Sequence, residues 1–322
     1  MGECILKKLL QVGLIVEDAD AAVQKFCQMF RIDENAIQRV DMRDVGTIKL
    51  NFLGKEIEAY NIFTTVQVAD MEFEFVQPIA GDVNAQKAYF TKHGGNGFQH
   101  IAIAVDDHDA MVAKMAELGG TMLQSGGKGN WGYTFMDMTE QNGIIYEVYG
   151  TEIRDQHLAQ KNVEQSTLKD FLQIGVVVPD AIAAAKNFCA VFDIDESAME
   201  IIDSRESDIL KMNFRGNDIE VHLLMVNVRA AGVEFEFIQH VGGDVNSQKE
   251  YFDKYGAGLQ HVCINVENYD EVTAHMEACG AQTLVTGGEG GWSYCYMDMT
   301  EPTGLIFEIY NDDLRDMKMG LK

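Results

Sequence analysis

The chain has 322 residues, of which 47% are apolar, and 25 Lys and Arg against 51 Asp and Glu give a formal net charge of −26. This length predicts two domains with a substantial core, and the charge disfavours nucleic acid and anionic membrane surfaces, because phosphate binding requires clustered cations. No apolar run reaches 18 residues, which excludes a predicted membrane-spanning helix, and the polar residues near the start disfavour a signal peptide.

The six cysteines are widely spaced and form no CxxC motif. In a chain of this length the pattern predicts thiols in a reducing compartment rather than a disulfide framework. Cys27 and Cys189 lie in amphipathic helical patterns, where cysteine packs as a small apolar side chain. We therefore expect a cytoplasmic protein.

An internal repeat organises the whole chain. LLQVGLIVEDADAAVQKFCQMFRIDE, which begins at Leu9, returns as FLQIGVVVPDAIAAAKNFCAVFDIDE, which begins at Phe171, and MDMTEQNGIIYEVY returns as MDMTEPTGLIFEIY. Such self-similarity indicates a duplicated structural unit. The repeat predicts one domain over residues 1–150, a polar linker or solvated helix over 151–168, and a second domain over 169–322.

Each copy divides again into two weaker halves with the same predicted elements. In chain order, the first copy has a strand at LLQVGLIV, an amphipathic helix over Ala21–Phe30, and alternating strands at TIKLNFL and MEFEFVQ. The second half of that copy has a strand at FQHIAIAV, a helix over Ala110–Leu118, and strands at YTFMDM and GIIYEVYG. The pattern predicts an α+β fold of four βαβββ modules, paired into two domains with curved, mostly antiparallel sheets.

A polar side chain interrupts the apolar face of four strands in each copy. The residues are Gln11, Glu74, His100 and Glu147 in the first copy, and Gln173, Glu236, His261 and Glu308 in the second. Taken singly, each is more simply a hydrogen-bonded core residue or a solvated glutamate. Together they place one amide, one imidazole and two carboxylates on one face of a curved sheet.

These groups form a nitrogen and oxygen ligand set for a divalent metal ion. Two carboxylates balance a 2+ charge, which lowers the cost of burying the cluster. The absence of a thiolate favours Zn, Mn, Co, Ni or Mg in an open octahedral site, with two positions left for water or substrate. We expect two ions per chain, and the sequence leaves open whether each site lies within one copy or between copies.

The motifs resemble the vicinal oxygen chelate superfamily, in which paired βαβββ modules form a metal-lined cleft. The stretch from FVQPIAGD to KHGGNGFQHIAIAVDDHDAM is similar to methylmalonyl-CoA epimerase, whereas the ligand order Gln, Glu, His, Glu resembles glyoxalase I. The resemblance implies that the eight polar residues above are metal ligands. The four-module length also resembles extradiol dioxygenases, but their ligand set requires a histidine where this chain has Gln173, which disfavours ring cleavage.

The resemblance implies a metal-dependent isomerase, epimerase or lyase that moves a proton next to a carbonyl through an enediolate. Glu147 and Glu308 are then both ligand and base. The alternatives are a glyoxalase I-like lyase acting on a thiol hemithioacetal, and a non-catalytic small-molecule binding or resistance protein of the same fold.

Six further residues are candidates for substrate binding. The cations are Lys49, Lys211, Arg43 and Arg205, which recur in both copies, and the aromatic residues are Trp131 and Trp292 in Gly-rich hairpins. The cations suit an anionic group of the substrate, or else they are a solvated strand edge; each tryptophan either covers the cleft or packs on a strand. We expect a small-molecule carbonyl substrate and neither nucleic acid nor membrane as a partner, with a homodimer left open.

Overall fold

The computed structural model describes residues 4–46, 49–206, 212–289 and 291–320, with no side chain described at 289 or 292. The strands described in the first half are β1 (Lys8–Ile15), β2 (Gln38–Asp41), β3 (Lys49–Phe52), β4 (Lys55–Val68), β5 (Met71–Gly81), β6 (Gly97–Ala104), β7 (Thr121–Gly126), β8 (Tyr133–Met138) and β9 (Ile144–Tyr149). Its helices are α1 (Ala19–Phe30), α2 (Ala85–His93), α3 (His108–Glu117), α4 (Thr139–Asn142) and α5 (Thr151–Leu158).

The second half repeats this order. Its described strands are β10 (Leu168–Val177), β11 (Glu200–Asp203), β12 (Met212–Phe214), β13 (Asn217–Ile219), β14 (Val221–Ala230), β15 (Val233–Gly243), β16 (Gly258–Val266), β17 (Gln282–Glu289), β18 (Trp292–Met299) and β19 (Leu305–Tyr310). Its helices are α6 (Ala181–Phe192), α7 (Ser247–Tyr255), α8 (Tyr269–Ala278), α9 (Thr300–Thr303) and α10 (Asp312–Lys318). The predicted α+β fold of four βαβββ modules is confirmed.

Each half forms one curled sheet. In the first, the strand order is β2-β4-β3-β7-β8-β9-β6-β1-β5, and an additional β4–β5 pairing closes the sheet into a barrel. The first and last strands of each module pair in parallel, as β1 with β5 and β6 with β9, and the two modules join through antiparallel β1 and β6. The paired modules are therefore consecutive in sequence.

The helices cover the outside of the sheets because one side of each is apolar. Helix α1 begins after Asp18, whose side chain accepts a hydrogen bond from the backbone N–H of Ala21, an N-cap that stabilises the first turn. The apolar side of α1 places Phe26 against Phe73 of β5, with ring centroids 4.5 Å apart. Period-3.6 apolar spacing on the helix and period-2 spacing on the strand thus meet in one core.

The two halves share a continuous apolar core. Phe307 of β19 lies with its ring centroid 5.4 Å from that of Phe30 and 6.2 Å from that of Phe26, both on α1 of the other half. Tyr146 of β9 similarly packs on Phe192 of α6, at 5.6 Å. Each half therefore completes the burial of the other.

The segment predicted as a linker is packed against the first half. Its helix α5 is followed by Asn162, which hydrogen bonds to Asp70, and by Val163, whose backbone N–H donates to the carbonyl of Gln67. Strand β10 then begins at Leu168. In the described part of the chain, no helix is both long and apolar enough to cross a membrane.

We expect Phe307→Ala to lower the free energy of unfolding by about 3–5 kcal/mol, because truncating a fully buried Phe removes apolar contacts and leaves a cavity. Urea unfolding measures the change, and Val245→Ala, at a side chain that is 52% exposed, is the control. A small change for Phe307→Ala, equal to that of the control, would contradict a shared core.

Candidate metal centre

Strand register places the first set of predicted ligands on two neighbouring rungs of the first barrel. On one rung, Gly13 of β1 pairs with Glu74 of β5 on one side and with His100 of β6 on the other. On the next rung, Gln11 pairs with Ala102, which pairs in turn with Glu147 of β9. Residues two apart on a strand face the same side, so the four polar side chains converge inside one barrel.

The imidazole of His100 lies at the centre of this cluster and is fully buried. Its Nε2 lies 3.7 Å from Oε2 of Glu74 and 3.4 Å from Oε2 of Glu147, and it has no hydrogen-bond partner among the described residues. Its Nδ1 lies 3.2 Å from Oε1 of Gln99, whose amide nitrogen donates to a backbone carbonyl. That arrangement assigns the proton to Nδ1 and directs the Nε2 lone pair at the two carboxylates.

The amide of Gln11 completes the first set. Tyr149, two residues after Glu147 on β9, places its hydroxyl 2.6 Å from Oε1 of Gln11 and 3.0 Å from Oε2 of Glu147. The Nε2 of Gln11 is buried and has no hydrogen-bond partner within the described segments. The phenol therefore holds the amide and one carboxylate in a fixed relation.

Burial dominates the electrostatics of the cluster. It raises the pKa of Glu74 to about 8, aided by the charge of Glu147, and raises the pKa of Glu147 to about 8 against the hydrogen bond from Tyr149. Burial also lowers the pKa of His100 to about 4, so the imidazole is neutral at pH 7. A neutral imidazole and glutamates that hold their protons suit an empty metal site, because a divalent ion would displace those protons when it binds.

The second half repeats the geometry. Gly175 pairs with Glu236 and with His261, and the Nε2 of His261 lies 3.4 Å from Oε2 of Glu308 and 3.9 Å from Oε2 of Glu236. Ligand atoms of these last three residues all lie within 4.8 Å of one another. Gln173 lies on the adjacent rung, with its Oε1 3.4 Å from the Tyr310 hydroxyl. Each cluster thus forms within one half, which answers the question that the sequence left open.

The donor sets of both clusters suit a divalent cation, and among the described residues only the second has the ligand atoms of its histidine and both glutamates within 4.8 Å of one another. In the second, Nε2 of His261 and Oε2 of Glu308 are buried and lack a hydrogen-bond partner among the described residues, as Nε2 of His100 does in the first. A histidine Nε2 lone pair and a carboxylate oxygen that face each other need either a shared proton or a cation between them, and one divalent cation would satisfy all the donors of a cluster at once. Gln11, Glu74, His100 and Glu147 would hold one ion, and their counterparts in the second half would hold another.

Of the predicted substrate-binding residues, the cations whose side chains are described pair with carboxylates outside the two clusters. Lys49 is on β3 with its Nζ 2.7 Å from Glu56, and Arg43 and Arg205 are ion-paired with Asp41 and Asp203 of their own turns. Trp131 is 53% exposed beside a Gly-rich turn. Lys211 falls outside the described residues, and Trp292 begins β18 with its side chain undescribed. Among the described residues, these cations form no ion pair with the buried glutamates.

Sequence reasoning missed several residues that shape the clusters. These are the phenols of Tyr149 and Tyr310, the amides of Gln99 and Gln260, the small residues Gly13 and Gly175, and the buried glutamates Glu72 and Glu234. The tyrosines follow the ligand glutamates by two positions and the extra glutamates precede Glu74 and Glu236 by two, so strand alternation would have placed all of them inside the barrel.

Comparisons with known proteins agree with this architecture. The family model described as "Glyoxalase/Bleomycin resistance protein/Dioxygenase superfamily" matches residues 10–135 and again 172–296. A search of curated protein sequences gives no significant match.

Solved structures match over the whole chain at low identity. A triple mutant of 4-hydroxymandelate synthase from Streptomyces coelicolor superimposes with a TM-score of 0.61 at 13% identity, over 95% of this chain and 92% of the synthase. A xylose isomerase-like TIM barrel/4-hydroxyphenylpyruvate dioxygenase fusion protein gives a TM-score of 0.51 at 10% identity, over 96% of this chain and 49% of the fusion protein. At such identities the likeness concerns the fold alone.

We expect Gly13→Ala to displace His100 and Gly175→Ala to displace His261, because a Cβ at either position would lie 1.9 Å from the Cε1 atom of the imidazole. Each variant should lose one of two bound metal equivalents and about 1–3 kcal/mol of stability from overpacking. Metal analysis by mass spectrometry checks this, with each variant as the control for the other. Retention of both equivalents would contradict the geometry.

We expect the metal-free protein to lose stability as the pH rises from 4.5 to about 8, and the loss to level off above pH 8. The folded state keeps protons on Glu74 and Glu147 up to about pH 8, whereas the unfolded chain releases them near the ordinary carboxyl value of 4.5, so the folded state binds more protons throughout that range. Urea unfolding at three pH values in EDTA measures the slope, and saturating Mn²⁺ should abolish it. A slope unchanged in the Glu74→Gln, Glu147→Gln double variant would show that other groups cause it.

Proposed function

Because the chain belongs to the glyoxalase/bleomycin resistance protein/dioxygenase superfamily, we propose that it is a metal-dependent enzyme that moves a proton next to a carbonyl group. The observation that carries the proposal is the unpartnered histidine Nε2 that faces two buried carboxylates in each half. Each half would hold one divalent ion, and the reaction would be an isomerisation or an epimerisation, or else the glyoxalase I-like conversion of a thiol hemithioacetal to a thioester.

The ion, when bound, would polarise a carbonyl oxygen and so lower the pKa of the neighbouring C–H. Glu147 would accept that proton, because its carboxylate is buried inside the barrel with Oε2 3.4 Å from Nε2 of His100. Tyr149 fixes the orientation of that carboxylate through its hydroxyl. Glu308 occupies the equivalent position in the second half.

The chemistry of the donor set favours this reaction class over oxidative ring cleavage. Non-haem iron dioxygenases use two histidines and one carboxylate, whereas each half here offers one histidine, two glutamates and one glutamine. The order Gln, Glu, His, Glu also supports a glyoxalase I-like lyase acting on a thiol hemithioacetal. Cations such as Lys49 are already paired with surface carboxylates and so do not form a phosphate-binding patch. This favours a small carbonyl substrate over one that carries several phosphates.

Other readings of the same fold have distinct signatures. A non-catalytic binding or resistance protein would bind ligand without turnover, and a dioxygenase would consume oxygen with Fe²⁺ and a 2-oxo acid. The six free cysteines, five of them buried, support a reducing compartment such as the cytoplasm.

The test is deuterium incorporation from D₂O into a panel of 2-oxo acids, hydroxyketones, thioesters and the glutathione–methylglyoxal adduct, with Mn²⁺, Zn²⁺, Co²⁺, Ni²⁺ or Mg²⁺. We expect exchange that EDTA abolishes. Glu147→Gln and Glu308→Gln should each leave the other half active, and the double variant should lose roughly 10²–10⁴-fold, the usual contribution of a general base.

Glu117→Gln is the control, since that glutamate is exposed on α3. Exchange that survives in the double variant, or a protein that takes up no metal on reconstitution, would overturn the proposal. Oxygen uptake with Fe²⁺ in place of exchange would assign the dioxygenase reaction instead.

A further inference from the structure

A third buried glutamate borders each metal centre. Glu72 pairs with Gln11 across β5 and β1, and Glu234 pairs with Gln173 in the same way. Their exposures are only 3% and 4%. Both centres therefore contain three carboxylates, and the two halves differ in what those third carboxylates contact.

In the first half, the partners of Glu72 carry no fixed positive charge. Gln67 lies opposite it on β4, and Nδ1 of His157, on α5, lies 3.5 Å from its Oε1. The ring of His157 stacks on Tyr149 with centroids 4.7 Å apart, and burial lowers the pKa of this histidine to about 4. Within the described residues, no lysine or arginine is ion-paired with the three carboxylates of this centre.

In the second half, both equivalent positions hold cations. Arg229, opposite Glu234 on β14, places Nη2 2.9 Å from Oε2 of that glutamate. Lys318, at the end of α10, places Nζ 3.7 Å from its Oε1. The strand register makes Arg229 the counterpart of Gln67, and the helix after the last strand makes Lys318 the counterpart of His157.

We propose that Arg229 and Lys318 make the two metal centres unequal, so that the first binds the divalent ion more tightly and the second selects anionic chelating substrates. The inference rests on the proposed function only in taking both clusters to be metal sites. Three carboxylates give the first centre a formal charge of −3, and two added cations give the second −1. A bound 2+ ion then leaves −1 and +1, which are opposite fields for an incoming substrate.

Mn²⁺ titration of the metal-free full chain, followed by the paramagnetic resonance signal of free Mn²⁺, tests the first part. We expect two classes of one ion each, with dissociation constants that differ by at least roughly tenfold, since the extra cations are partly exposed and screened. In the His100→Ala variant only the weak class should remain, and in the His261→Ala variant only the tight class should remain.

Exchanging the residues that contact the third glutamate of each centre should change the Mn²⁺ dissociation constant of that centre only. Lys318→His with Arg229→Gln gives the second centre the partners of the first and should tighten the weak class at least fivefold, whereas His157→Lys should weaken the tight class. Lys186→Gln, in an exposed ion pair with Glu196, is the control and should change neither. Circular dichroism of each variant before titration establishes that the fold is retained.

Oxalate, a dianion with adjacent oxygens, tests the second part. The Mn²⁺-loaded His100→Ala variant retains only the second centre, and the Mn²⁺-loaded His261→Ala variant retains only the first. We expect oxalate to bind the former at least tenfold more tightly than the latter. The inference would be overturned if the two Mn²⁺ classes had equal affinity, if His100→Ala removed the weak class, or if the two variants bound oxalate equally. None of these results would affect the proposed function. A wild-type chain that binds no Mn²⁺ would overturn both.

Discussion

The structure depends on the missing side chain at Gly13. Parallel pairing with β5 and antiparallel pairing with β6 place Glu74 and His100 on either side of this residue, and all three belong to one rung of the sheet. The imidazole lies directly over the glycine, in the space that a Cβ would fill. The imidazole of His100 can approach the carboxyl group of Glu74 only because β1, which lies between them, has no side chain at Gly13. Gly175 has the same role between Glu236 and His261.

Strand alternation made much of this predictable from sequence. Each predicted ligand interrupts an apolar strand at an inward position, so period-2 spacing was enough to select the four and to expect their convergence. The α+β modules follow from the same spacing together with the helical pattern of α1. The same spacing could not identify the glycines, because a glycine does not interrupt the apolar pattern of a strand. The role of Gly13 becomes clear only when the pairing of its strand with two neighbouring strands is known.

Other features could not be read from local patterns. Residues 151–168 are polar, which predicts a solvated connection, yet His157 stacks on a buried tyrosine and Val163 is bonded to the backbone of β4. Tertiary contacts between distant segments here override the composition. The whole-chain likeness to a synthase of only 13% identity shows that this scaffold tolerates extensive sequence change.

The position of α5 has a consequence for how the duplicated protein is divided. This helix comes after the first barrel is complete, yet its His157 forms the outer wall of that barrel's polar interior, and the following residues tie it to β4 and α1. The C-terminal helix α10 lies likewise beside the polar interior of the second sheet, through Lys318. Each curled sheet is therefore completed by the helix that follows its last strand, and a cut immediately after β9 would remove His157 from the polar interior that it borders.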